Sequence, residues 1–431
     1  MGTHNDQQVG KAQREYIEGI FTVYQNQADF LKHVKQNVVE NPTNFKGRVV
    51  SLETSANPSL AFGNVNGGDL ATPSAETLEN ITVTYQWMNS GLEHQYGAIL
   101  NANAETVADP LKRSVKSAGK QFAAWLNFYL SAGDGTTRLA TASTAYNAGA
   151  PTVFIANGAT DSLGATMVLK DQYVKVYDPT GTTQRMGTVG SGSIKVASVT
   201  KTQITGATNF PSDFIVGDII VPEGSNTIGI KGVPYLVKDT GAYFNGSRTT
   251  TPQLQSTYIA VGGALTALQM LNCWELASDR AGRDEDEETQ WLTIACGMTQ
   301  HAAYYNLTQV SPSQQYFAHT GTDRPGVDVG GRSMKFTWFG APIKKFSKFP
   351  GNKMYFLDMS AFNMAVLKKV GALLDMPAGE WLQAINGATN TYKASRVKWM
   401  DFAGDMYSPT PQVHGCLDTL SVSGLPQQKG G

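Results

Sequence analysis

Five consecutive carboxylates, Asp284-Glu285-Asp286-Glu287-Glu288, are the densest set of candidate ligands in the sequence. Hard cations take several oxygens from a fixed loop, often with a glycine at its sharp turn. This run has the oxygens but neither alternating spacing nor an internal glycine. A solvated helix end or loop is therefore the favoured reading over a cation site, and a charge-paired contact between subunits is a third use. Six histidines (His4, His33, His94, His301, His319, His414) include no pair at i,i+4, so zinc would need a cluster created only by folding. Cys273, Cys296 and Cys416 form no CxxC pair and leave an odd count, which reads as reduced thiols without a disulfide framework. No GxxxxGK[ST] loop, HExxH pair or GxSxG elbow occurs, and the glycines at 187, 190 and 192 lack the order of a dinucleotide loop. The expectation is a protein that is not an enzyme, with no cofactor and no bound metal.

Charge narrows the partners. The 431 residues hold 34 Lys plus Arg against 35 Asp plus Glu, a net charge of -1, which argues against a binder held to nucleic acid by a strongly basic field. Charged residues are only 16% of the chain, so its surface tolerates protein neighbours. One segment departs from this balance. Between Arg332 and Lys398 stand eleven Lys or Arg, opposed only by Asp358, Asp375 and Glu380. In an assembling protein such a split lets a basic surface meet an acidic one on the next copy, or line a DNA-filled cavity without base readout. A mixed solvated surface is the plainer alternative. The first fifteen residues lack the apolar run of a secretory signal. The longest apolar-leaning stretch, Tyr258 to Leu271, is shorter than the ~20 residues of a membrane span. Folding in a cytoplasm, with no membrane partner, is expected.

The elements that must position these residues follow from periodicity. Residues 11–40 read as a short amphipathic arm carrying Ile17, Ile20, Phe21, Tyr24, Phe30, Leu31 and Val34, broken at Asn41-Pro42. Arg48 to Leu52 and Ile81 to Trp87 read as strands around a stretch rich in Gly, Asn, Ser and Pro, a long projecting hairpin that cannot bury its own faces. A helix is predicted from Asp109, as cap with Pro110 at the first position, to Gly133. Leu111, Val115, Ala118, Phe122, Trp125 and Tyr129 draw its apolar stripe, most simply a core-packing face. From Pro151 to Gly224 short strands (Thr152–Ala156, Gln172–Tyr177, Ser193–Val199, Phe214–Val221) suit a small barrel or sandwich. Further helices are expected near Gly263–Arg280, Thr299–Leu307 and Ala361–Gly371, the last capped by Ser360. Further strands are expected near Trp291–Cys296, Ser333–Phe339, Met354–Leu357, Arg396–Phe402 and Val413–Val422.

The order of these segments resembles the major capsid proteins of tailed bacteriophages with the Hong Kong 97-type fold. The residues that carry it are the arm, the hairpin, the long helix ending in Ser131-Ala132-Gly133-Asp134-Gly135, then Asp239-Thr240-Gly241-Ala242-Tyr243-Phe244-Asn245-Gly246-Ser247-Arg248 with Pro252 after it. Trp338-Phe339-Gly340-Ala341-Pro342-Ile343 and Met354-Tyr355-Phe356-Leu357-Asp358 complete the series. The likeness covers about residues 46 to 425.

What the resemblance implies is an α+β chain in six parts: an N-terminal arm (1–45), an extended loop (46–90), and a peripheral domain with a spine helix (91–135). An axial domain (136–379) with a β-rich insertion at about 150–230 follows, then peripheral strands (380–412) and an axial return with the tail (413–431). The insertion would serve as a brace, a decoration platform or neither. Some relatives crosslink a loop Lys to a neighbour's Asn; no Lys lies between Gly47 and Leu111, so that chemistry is not expected in the loop. A large scaffold domain would be removed or encoded separately. The expected inter-subunit contacts are Arg48, Glu53, Leu60, Phe62, Asp69, Leu70 and Trp87, with an acidic contact at Asp284, Glu285, Asp286 and Glu287. Covering Leu60, Phe62 and Leu70 on a neighbour would be worth on the order of 1.5–3 kcal/mol each. The implied function is a self-assembling icosahedral head shell around double-stranded DNA, built of pentamers and hexamers. Its partners would be its own copies, portal and scaffolding proteins, a decoration protein and DNA held non-specifically. It would be assembled in the host cytoplasm and carried in the virion. The alternatives are an encapsulin-like nanocompartment shell, a β-rich hydrolase with paired carboxylates, and a tail or adhesion protein.

Overall fold

The computed structural model describes residues 29–38, 47–55, 77–95, 104–157, 163–187, 192–225, 228–282, 291–310, 336–338, 341–368, 382–386 and 391–426. The chain enters through a 3-10 turn at Leu31–His33 and strand β1 (Lys35–Val38). Strands β2 (Gly47–Ser55) and β3 (Thr77–Thr84) pair antiparallel as a two-stranded ribbon, and β4 (Gln86–Gln95) follows after a break at Tyr85. The strand expected at Ile81–Trp87 is therefore divided between two sheets. Helix α1 (Ala104–Ala132) begins upstream of Asp109, so Asp109 does not cap it and Pro110 is its seventh residue. The helix-compatible Ala104-Glu105 lead-in outweighs the one hydrogen bond, to the Thr106 carbonyl, that Pro110 cannot donate. Phe122 and Tyr129 of its stripe are buried and Ala118 and Trp125 half-buried. Gly133 ends the helix by donating to Tyr129 O at 2.9 Å. A Cβ there would lie 2.2 Å from that oxygen and 2.9 Å from Ile230 O, so only glycine fits.

After β5 (Asp134–Thr136) comes a six-stranded module: β6 (Ala140–Thr141), β7 (Val153–Ile155), β8 (Tyr173–Tyr177), β9 (Ile194–Val199), β10 (Gln203–Gly206) and β11 (Ile219–Pro222). Their spatial order is β6-β11-β8-β9-β10-β7, and a bridge between Ala142 and Ala156 joins the two end strands. Of the expected barrel or sandwich the structure shows a barrel, closed among the described residues by this bridge. Phe154 fills it against Phe210 and Phe214 at 5.5 and 5.3 Å between ring centroids. The strand expected at Phe214–Val221 is shorter. Asp218 takes two hydrogen bonds from Arg185, at 2.9 and 3.0 Å, and one from Ile215 N, holding 215–218 as a turn with Gly217 at φ 91°.

Strand β12 (Ile228–Lys231) returns to pair with β5, followed by α2 (Val233–Leu236) and the hairpin β13 (Ala242–Tyr243) and β14 (Gly246–Ser247). The next elements are β15 (Thr257–Ala260), α3 (Ala267–Ala281), β16 (Leu292–Cys296), α4 (Met298–Val310), β17 (Phe336–Trp338), β18 (Ala341–Lys345) and β19 (Met354–Asp358). The chain finishes with β20 (Asn363–Lys368), β21 (Leu382–Asn386), β22 (Thr391–Tyr407) and β23 (Gly415–Asp418). One mixed sheet runs β15-β23-β19-β16-β18-β17. Helix α3 covers it with Met270, Cys273, Trp274 and Ala277, starts in a Thr266–Gln269 capping box and stops at left-handed Gly282. A second sheet runs β1-β20-β22-β21, with β4 also paired to β22. The fold is α+β.

The helix expected at Ala361–Gly371 is instead strand β20, preceded by a 3-10 turn at Met359–Ala361 that Asp358, not Ser360, caps. Met364, Ala365 and Val366 are all fully buried, and β20 pairs with β1 on one side and β22 on the other. A strand buried on both faces shows no alternation, so its sequence reads like a buried helix. Where the two large sheets meet, His414 is enclosed: its ring stacks on Phe362 at 4.6 Å, Nδ1 accepts from Asp358 N, and Nε2 lies 3.0 Å from Ser408 Oγ. Burial pushes its pKa down to about 4. Among the described residues no three His, Cys, Asp or Glu are placed to hold a metal, and no helix is long and apolar enough to cross a membrane.

Candidate interaction site at the root of the ribbon

The register of β2 on β3 gives the ribbon two unlike faces. Arg48 opposes Val83, Val50 opposes Ile81 and Leu52 opposes Glu79 on one face; Val49 opposes Thr82 and Ser51 opposes Asn80 on the other. Leu52, Ile81 and Val83 are buried, whereas Val49 and Leu78, on the second face, are each 54% exposed. Ser51 Oγ donates across that outer face to Asn80 Oδ1 at 2.6 Å. Among the described residues β2 pairs with β3 alone, leaving its far edge open.

The inner face of the root rests on the chain's own hairpin β13–β14, so there the ribbon is covered by its own body. Asn245, in the turn, accepts from Thr82 N at 2.7 Å and donates to Asn80 O at 3.0 Å. Thr251 Oγ1 donates to Glu79 Oε2 at 3.0 Å. Gly246 packs directly against that face, where an added Cβ would lie 2.7 Å from Ile81 Cδ1.

This support is braced by buried hydrogen bonds. The Arg248 guanidinium is buried and donates to the carbonyls of Ala242, Tyr235, Leu236 and Leu254 at 2.6, 2.8, 3.1 and 3.2 Å. It also lies over the Tyr243 ring at 5.0 Å. Lys231 sits 4.8 Å from the Phe244 ring centre and pairs with Asp405 at 3.0 Å, which ties the support to β22. Burial raises the Asp405 pKa to about 6 against the pull of Lys231. At the break between β3 and β4, burial raises the pKa of Tyr85 while Arg48 opposes the rise. A groove of about 720 Å³ opens there between Tyr85, Trp87, Trp125, Tyr129 and Ile228. Trp87 is 61% exposed at its rim, and the buried Trp125 Nε1 finds no acceptor among the described residues.

Of the expected contact residues, the structure brings Arg48 and Trp87 to this root, Arg48 half-buried and Trp87 open. Glu53 lies on β2, but its side chain is outside the described residues, as are Leu60, Phe62, Asp69 and Leu70 and the acidic Asp284, Glu285, Asp286 and Glu287. Sequence reasoning missed the exposed pair Val49 and Leu78 and the supports Asn245 and Arg248. The Asn245-Gly246 dipeptide is a turn signal that marks the hairpin; nothing local marks its distant partner.

No protein-family model matches the sequence, and no curated protein is similar to it. Solved structures are similar in chain path. The capsid asymmetric unit of cyanophage A-1(L) has 14% identity and a TM-score of 0.48, covering 90% of this chain and 92% of that one. The capsid of a native GTA particle has 9% identity and a TM-score of 0.43, covering 90% and 89%. Gordonia phage Cozz has 9% identity and a TM-score of 0.40, covering 90% and 84%.

Proposed function

We propose that the chain is the shell subunit of a tailed-phage head of the Hong Kong 97 type, joining copies of itself in pentamers and hexamers around packaged double-stranded DNA. The observation that carries this reading is the ribbon: its inner face is fixed on its own body, while its outer face shows Val49 and Leu78 and the far edge of β2 is unpaired among the described residues. An open-edged ribbon that also exposes apolar side chains is an aggregation liability in a monomer. A neighbouring copy laid over it removes that liability, and covering the exposed part of each side chain contributes on the order of 1 kcal/mol. Closed symmetry repeats one such contact many times, so a modest interface suffices for a stable shell. The segment order of the sequence supports the same reading. Sedimentation velocity with negative-stain imaging of the purified protein tests it. Closed shells, or pentameric and hexameric rings, are expected; a monodisperse monomer would overturn it.

A further inference from the structure

The N-terminal stretch of the chain reaches the described fold at a fixed point on α1. Asn127 Oδ1 accepts from Phe30 N and from Leu31 N, each at 3.1 Å, and Asp29 Oδ2 accepts from Ser347 N at 3.0 Å. Phe30 is set among Phe346, Phe349 and Phe362, with ring centroids 5.7, 5.3 and 5.9 Å away. Residues 1–28 lie outside the described residues, so whatever they touch on their own chain must be within reach of this anchor.

The groove beside Trp87 is within that reach. At 3.6 residues per turn, Trp125 and Tyr129 share one side of α1 and Asn127 lies roughly half a turn away. Between the two sides Ser117, Lys120 and Ala124 form a solvent-exposed strip. Around a helix about 11 Å across, half a turn is roughly 17 Å, or about five extended residues. The sequence supplies them: Gln25-Asn26-Gln27-Ala28, next to Asp29, has no large apolar side chain to hide. Immediately before it, Ile17, Ile20, Phe21 and Tyr24 recur at i, i+3, i+4 and i+7. That is the spacing of the anchors an amphipathic helix lays into an apolar groove. The groove measures about 720 Å³, and Trp87 and Ile228 stand 61% and 58% exposed in its wall. A segment tethered so near is held there at an effective concentration that a separate chain does not match.

We infer that residues 17–24 dock in the groove between α1, β4 and β12 of their own chain, with residues 25–28 crossing the exposed strip of α1. Ile17, Ile20, Phe21 and Tyr24 then cover Trp87, Met88, Trp125 and Ile228. Trp87, expected as an inter-subunit contact, is in that case covered from within. The contact is internal to one subunit and holds with or without a shell.

Directed disulfide formation tests it on the full chain, at concentrations where sedimentation detects no shells. The three native cysteines are buried and form no disulfide. Tyr24→Cys with Ile228→Cys is expected to link under diamide about tenfold or more faster than Tyr24→Cys with Leu268→Cys, although Leu268, on α3, is 65% exposed. Peptide masses from a mixture of isotope-labelled and unlabelled chains show whether a link joins one chain or two. Equal rates for the two pairs would overturn the inference. So would links found mainly between labelled and unlabelled chains, which would assign the groove to the arm of a second copy. Hydrogen exchange of the unsubstituted protein is an independent measurement. Amides of 17–24 are expected to exchange about tenfold or more slowly than in a free peptide of that sequence. Trp87→Ser with Ile228→Asp is expected to remove this protection and to leave the α3 amides unchanged. Exchange at the free-peptide rate, or protection that survives the double substitution, would overturn the inference.

Discussion

Asn245 meets the backbone of Thr82 as a neighbouring strand would, with Oδ1 accepting the Thr82 N–H at 2.7 Å while Nδ2 donates to Asn80 O at 3.0 Å. Outward-pointing N–H and C=O groups belong to the widely spaced pairs of an antiparallel ladder, here Val49 with Thr82 and Ser51 with Asn80. One side chain thus closes this stretch of the β3 edge, and among the described residues the opposite edge of β2 is left unpaired. Asn245→Ala is expected to cost about 1 kcal/mol, because water can replace a partly exposed partner. Hydrogen exchange should quicken at Thr82 and leave the barrel amides unchanged.

Arg248 is a larger liability. Its guanidinium satisfies four carbonyls from a buried position, and burial lowers its pKa. Lysine keeps the charge but lacks the planar fork, so Arg248→Lys is expected to destabilise by about 3 kcal/mol or more. Thermal unfolding followed by near-UV circular dichroism measures this, and a change below 1 kcal/mol would remove Arg248 from the account of the support.

His414 sets a pH dependence whose sign is fixed. Its folded pKa, about 4, lies below the unfolded value of 6.5, so its contribution is complete above pH 6.5 and is lost as pH falls through 4. The difference corresponds to about 3 kcal/mol. Asp405 works oppositely in the same window: with its pKa raised to about 6, the fold gains stability as pH falls toward the unfolded carboxylate value. Urea unfolding of wild type and His414→Gln across pH 4 to 7 isolates the histidine, since the Asp405 contribution cancels. The wild type should lose stability relative to the variant on acidification; parallel curves would contradict the assignment.

The outer face of the ribbon separates folding from assembly. Val49→Glu with Leu78→Glu places charge where each side chain is already 54% exposed. The melting midpoint of the subunit is expected to stay within about 2 °C, as for surface substitutions generally. Sedimentation should show loss of large species, because two carboxylates would have to be buried in every repeated contact.

Where one face is buried and the other wet, the sequence could be read directly. The barrel strands alternate, as in Val174 and Val176 buried beside the exposed Tyr173, and α3 shows its helical period, although it starts after the Thr266 cap and not at Gly263. Reading failed where tertiary contacts outweighed the local pattern. Residues 363–368 are buried on both faces and lose their alternation, and Asp109-Pro110 imitates a helix start within α1. Of the ribbon, the strand pairing was legible and the support was not. Asn245 lies 165 residues from Asn80, and no local pattern encodes such a contact.

The shell reading requires the outer face of the β2–β3 ribbon to be completed by a second copy of the chain. Cryo-electron microscopy of the assembled material tests it most directly. A reconstruction in which Val49 and Leu78 are covered by an adjoining subunit is the predicted result. A shell or ring in which both remain open to solvent, with the far edge of β2 unpaired, would contradict it.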